Sequence, residues 1–140
     1  MALSSTVAET LSQLALFADL SSGQVEAIAH GFGEQAFGAE RRVLRQNLGG
    51  SGLFIILEGE AEVRLDGQEV ARLGRGEFFG EISALIGEAP NADVVAKTFL
   101  RCLVVPAPEL ERFLLEHPTV LLRMLKVEVG RLRLAELSQE

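Results

Sequence analysis

The 140-residue sequence contains one cysteine, two histidines, four prolines, and neither tryptophan nor tyrosine. The lone thiol, Cys102, excludes an intrachain disulfide, so nothing calls for an oxidising compartment and a cytoplasmic setting is expected. His30 and His117 lie far apart, with no Cys, Asp or Glu at ligand spacing, which argues against a metal centre. Basic residues are also scarce. Thirteen Lys and Arg against 20 Asp and Glu give a formal net charge of -7, unsuited to nonspecific contact with a phosphate backbone. No apolar run reaches the roughly 20 residues of a spanning helix, and Glu9 precedes any leader-like stretch, so a membrane or secretory route is not expected. No Ser-His-Asp or Cys-His set can be assembled, and the reading is of a protein that is not an enzyme.

What is present is a change of period along the chain. From Thr6 to Phe32 apolar residues recur at three-to-four spacing, predicting two short helices separated by Asp19–Gly23, where Ser21 or Ser22 can cap the second. Beyond Gly33 come short segments rich in Val, Ile, Leu and Phe: 34–37, 42–46, 53–58, 60–65, 68–73, 92–96 and 100–105. Asp66-Gly67 joins two of them and predicts a type I′ hairpin. The alternation Glu62/Val63/Arg64/Leu65 predicts one wet face, and the nearby carboxylates of Glu58, Glu60 and Glu62 read as solvated. Helical spacing returns at Pro108, breaks at His117-Pro118, and resumes as a long amphipathic helix. The fold expected is α+β and mainly β: an antiparallel β-roll or jelly roll with N-terminal helices and a long C-terminal helix. One domain spans 1–140, with helices over 1–33, the roll over 34–106 and C-terminal helices over 107–140.

The segment 74–96 interrupts the strand block with a glycine, one helical turn and a loop. Gly80 permits close backbone approach, and the free N–H groups of Glu81, Ile82 and Ser83 at a helix start favour an anion. Glu81 suits a sugar hydroxyl. Phe78 and Phe79 read as core, with Phe79 bordering the candidate site.

Two stretches, 45–63 and Gly76-Glu-Phe-Phe-Gly-Glu-Ile-Ser83, resemble the second glycine-marked hairpin and the phosphate-binding cassette of the cyclic nucleotide-binding domains found in Crp/Fnr regulators, kinase regulatory subunits and gated channels. Glycines 50, 59, 76 and 80 fall at that family's turns. The resemblance implies an eight-stranded roll whose last helix closes over a cyclic nucleotide, cAMP or cGMP, and a Crp/Fnr-type sensor without the DNA-binding domain. The site it implies joins Phe79, Gly80, Glu81, Ile82 and Ser83 to Pro90, Asn91, Ala92 and Asp93.

One departure stands out. Where the family carries a phosphate-pairing arginine, two small residues and a hydroxyl residue, this chain reads Pro90-Asn91-Ala92-Asp93. Losing a charge-assisted hydrogen bond costs about 1.5–3 kcal/mol. A carboxylate about 5 Å from the phosphate adds roughly 3 kcal/mol of repulsion at an effective dielectric near 20. At about 1.4 kcal/mol per tenfold, a micromolar site would become millimolar. The function expected is therefore a noncatalytic regulatory or sensor module with weakened cAMP or cGMP binding. The alternative is a degenerate, nucleotide-free domain serving protein interaction or self-assembly. A cupin-type metal enzyme lacks its clustered histidines.

Arg123, Lys126, Arg131 and Arg133 give the last helix a basic side, read as a solvent face or the edge of a dimer seam. Its apolar stripe, Leu121, Leu125, Val129 or Glu128, Leu132 and Ala135, suits either a homodimer or closure over the ligand. Cys102 reads as a buried small hydrophobe.

Overall fold

The computed structural model describes residues 2–47 and 52–138. Helix α1 (Ala2–Ser12) and a 3-10 turn (Ala15–Phe17) lead into α2 (Ser22–Gly31). Strands β1 (Gly33–Phe37), β2 (Arg42–Leu44), β3 (Gly52–Glu58), β4 (Ala61–Leu65), β5 (Gln68–Leu73) and β6 (Phe78–Phe79) follow. A short α3 (Glu81–Ile86) precedes β7 (Asp93–Ala96) and β8 (Leu100–Pro106), and the described chain closes with α4 (Ala107–Glu116) and α5 (Pro118–Ser138). The strands form two four-stranded antiparallel sheets, β1-β8-β3-β6 and β2-β7-β4-β5, the β-roll the sequence predicts.

Local chemistry explains the boundaries. Ser21 is the cap of α2: its Oγ accepts from the Gln24 N–H at 3.1 Å while Gln24 Oε1 accepts from the Ser21 N–H at 2.9 Å. Ser22 cannot do this, because the reciprocal bond needs a Gln or Glu three residues on. Asp66 and Gly67 both take positive φ, 53° and 85°, and Leu65 faces Gln68 across the predicted hairpin. Gly50, a turn implied by the resemblance, lies outside the described residues.

Strand β3 is buried on both faces, and this divides the interior in two. Leu53, Ile55 and Leu57 point into a core shared with α1, α2, α4 and the start of α5. Phe54 and Ile56, one residue out of phase, point into the roll against Phe79, Val94 and Cys102. Cys102 is fully buried, which pushes its thiol up to about 12.

Two strand-level expectations change. The sequence missed β6, which is only Phe78–Phe79, too short to show a period. Glu62 is not on a wet face: it is 5% exposed. Strand β4 is covered by β5 and β7 on either side, and Arg72, directly opposite Glu62, joins Arg64 and Lys97 around the carboxylate at 3.4, 2.5 and 3.7 Å. The hydrogen bond from Arg64 holds Glu62 below the usual carboxylate range. A carboxylate so placed is stable because cations surround it, not because water does.

Candidate functional site

Strand β6 ends at Gly80, whose φ of 86° and ψ of -7° put the backbone in the left-handed region before α3 begins. A Cβ there would collide with the Gly52 carbonyl oxygen and crowd Phe54 and Leu44. Only glycine fits on both counts. Gly87, with φ 74°, ends the helix after six residues, and its N–H donates to the Ser83 carbonyl at 2.9 Å.

The predicted residues form two groups, 79–83 and 90–93, with Leu44 near both: it would crowd a Cβ at Gly80 and it pairs with Val94. In the first group, Phe79 stacks on Phe54 with ring centroids 5.0 Å apart and belongs to the roll core. Ile82 is exposed, and Ser83 Oγ donates to the Gly80 carbonyl at 3.4 Å. In the second group, Pro90 is buried, Ala92 half-buried and Asn91 exposed.

Pro90 and Asp93 both secure the segment leaving β2. The Pro90 carbonyl accepts from the Asn47 N–H at 2.8 Å, and Asp93 Oδ1 accepts from the Gln46 N–H at 2.7 Å. Asp93 Oδ2 also lies 3.9 Å from Arg42 Nε. The Asp93 carboxylate, expected to face a ligand anion, thus engages a backbone N–H and lies near a guanidinium. Its register in β7, opposite Arg64 in β4 and beside the end of β2, places it there.

Glu81 is the unusual residue of the cassette. It is 4% exposed, and its Oε1 has no hydrogen-bond partner among the described residues. Oε2 lies 3.3 Å from Arg131 Nη1 of α5, and the same nitrogen is 3.0 Å from Glu128. Arg131 Nη2 donates to the Phe78 carbonyl at 2.7 Å, and its guanidinium lies 4.6 Å from the Phe78 ring centre. Burial, then the hydrogen bond and charge of Glu128, push Glu81 up to about 8, against the pull of its own backbone N–H and Arg131.

The sequence reading missed Arg131 and Arg123, assigning both to a solvent or seam-edge face. Arg123 instead reaches back to the N-terminal helices, donating to the Leu16 and Ala18 carbonyls and pairing with Asp19 at 2.9 Å. Their offset of eight positions, just over two helical turns, sets both on the side of α5 that meets the body of the fold. The one available signal was this spacing. The apolar stripe runs elsewhere: Val120 and Met124 are buried, whereas Leu121, Leu125, Val129 and Leu132 are exposed.

Among the described residues no group of three or more His, Cys, Asp or Glu side chains is placed to hold a metal. No helix among them is long and apolar enough to cross a membrane.

A roll of two antiparallel sheets carrying a glycine-hinged helix between β6 and β7, under a long C-terminal helix, defines a class of regulatory ligand-binding domain. The chain belongs to the cyclic nucleotide-binding domain family, whose model matches residues 34–117. It is 39% identical over 90 residues to a cAMP-dependent protein kinase regulatory subunit of Mycosarcoma maydis, covering 61% of this chain and 17% of that protein. The catabolite activator protein of Thermus thermophilus superposes with a TM-score of 0.77 at 26% identity, over 89% of this chain and 61% of that one. The regulatory subunit of a cAMP-independent protein kinase A from Trypanosoma brucei shares the fold, with a TM-score of 0.77 at 23% identity over 90% and 46% of the two chains. The chain spans 12%, 17% and 19% of the lengths of three curated relatives it matches.

Proposed function

We propose that residues 1–140 act as one noncatalytic sensor module, binding cAMP or cGMP weakly between the Gly80–Ser83 turn and the Pro90–Asp93 loop. The observation that carries this reading is Glu81: a buried carboxyl with one oxygen unpartnered among the described residues, at the cassette position where the family resemblance implies a sugar contact. Leaving a buried acceptor unsatisfied costs about 1–3 kcal/mol, which a ligand hydroxyl would recover. Binding is weak because neither Pro90 nor Asn91 supplies a cation to the phosphate. Asp93 adds less repulsion than its sequence position suggests, since Gln46 and Arg42 already engage it. A ligand hydroxyl at Oε1 would add a contact to the carboxyl whose Oε2 pairs with Arg131, so occupancy would bias the position of α5, as a ligand that prefers one of two states must.

A second reading rests on α5. Leu125, Val129 and Leu132 are more than half exposed, and a module without nucleotide would use this face to pair with a second copy as a short coiled coil. A cytoplasmic setting, away from nucleic acid and membrane, fits the single thiol and the charge of -7. Calorimetry with cAMP and cGMP separates the readings. Saturable heat, at micromolar to millimolar ligand, supports the sensor; absence of heat at millimolar ligand, together with concentration-dependent dimerisation that Leu125→Glu abolishes, supports the assembly module.

A further inference from the structure

The turn from β1 to β2, which are edge strands of different sheets, borders an open cleft of about 670 Å³ that none of the cassette residues lines. Arg41, Arg42 and Arg45 line it, beside Phe37 and Glu40. Three exposed arginines around one cleft are unexpected in a chain with 20 acidic and 13 basic residues. Most arginines elsewhere in the fold are matched: Arg64 and Arg72 around Glu62, Arg101 with Glu34 and Glu58, Arg123 with Asp19, Arg131 with Glu81 and Glu128, whereas Arg75 bonds the neutral amide of Gln13. Among the described residues, Arg41 and Arg45 have no ion-pair partner, and Arg42 has only Asp93 at 3.9 Å. The single carboxylate of the cleft, Glu40, is already offset by Arg64 at 3.6 Å and Lys97 at 3.7 Å. The cleft is therefore net positive inside a net negative molecule.

We infer that this cleft is a second anion site, separate from the cassette, that takes a small ligand bearing a diphosphate-type group. Guanidinium forks match phosphate oxygens two at a time, so three of them favour a polyanion over a single carboxylate. The volume falls within the roughly 300–1,000 Å³ of small-molecule sites, and the half-buried Phe37 adds an apolar wall. The inference does not depend on the cassette binding a nucleotide. It does imply communication with it: an anion drawing Arg42 into the cleft takes it from Asp93, at the start of β7.

The test is a calorimetric titration of the whole chain with inorganic pyrophosphate at low salt, with the arginine side-chain and backbone amide NMR signals followed in parallel. The expected result is saturable binding that shifts the Nε–Hε signals of Arg41 and Arg45. The double variant R41A/R45A should bind at least about tenfold more weakly, with an unchanged circular dichroism spectrum because both side chains are exposed and have no ion-pair partner among the described residues. The inference is overturned if pyrophosphate gives no saturable heat, if the double variant binds as well as the parent, or if only the amides of residues 80–83 move. The last outcome would place the anion in the cassette and leave the cleft without a ligand.

Discussion

Glu81 gives the molecule a pH dependence of unusual sign. Its carboxyl in the fold is held at about 8, above its ordinary 4.5, chiefly by burial. The folded state therefore binds more protons than the unfolded one between these values, and Glu81 favours folding fully below about 4.5 and progressively less as pH rises to 8. Denaturant unfolding from pH 5 to 9 is expected to show a decline that Glu81→Gln removes, the variant being more stable than the parent at pH 9 by up to a few kcal/mol. An equal decline in both proteins would assign the effect to other groups. Gly80→Ala is expected to cost about 1–3 kcal/mol or more from its left-handed φ and the collision with the Gly52 carbonyl, read as a lower urea midpoint with unchanged slope. Asp93→Ala should cost about 1.5–3 kcal/mol by stripping the Gln46 N–H of a charged acceptor. For the same reason, placing arginine at 90 and threonine at 93 to strengthen cyclic nucleotide binding would also loosen the exit from β2.

Among elements, α5 depends on few anchors. Val120 and Met124 bury its first turns, while its second half is tied to the cassette through Arg131. Arg131→Ala should raise amide exchange over the last turns of α5 and leave the first turns protected, because Arg123 holds those independently. Uniform acceleration along α5 would show that the helix moves as one body. At this scale much was legible beforehand. Asp66-Gly67 predicted its hairpin because the turn demands positive φ from its own two residues, and His117-Pro118 marked the boundary between α4 and α5 for similarly local reasons. Strand β6 was illegible, since two residues carry no period, and it exists only because β3 supplies partners for Phe78 and Phe79. Glu62 misled because alternation records which face a residue is on, not whether arginines from β4 and β5 close over it.

For the whole molecule, the double-sided burial of β3 and β8 makes sheet β1-β8-β3-β6 the partition between a helical core and a roll core. A ligand or partner that moves α5 acts on the first core near Val120 and Met124, whereas the cassette loop that returns into β7 belongs to the second. Dimerisation through α5 would bury Leu125 and Leu132 without disturbing either core. Sedimentation at rising concentration should then give a dimer for the parent and a monomer, equally stable to heat, for Leu125→Glu.

The sequence by itself determined the Asp66-Gly67 hairpin, the helix boundary at His117-Pro118 and the glycine that opens α3, because each depends on residues adjacent in the chain. The tertiary structure alone decided where charges end. It turned Asp93 toward the exit of β2 and brought Arg131 across 50 residues to Glu81. Electrostatic partners are chosen by distance in space, and the packing of the two sheets, not the spacing of the residues, sets those distances.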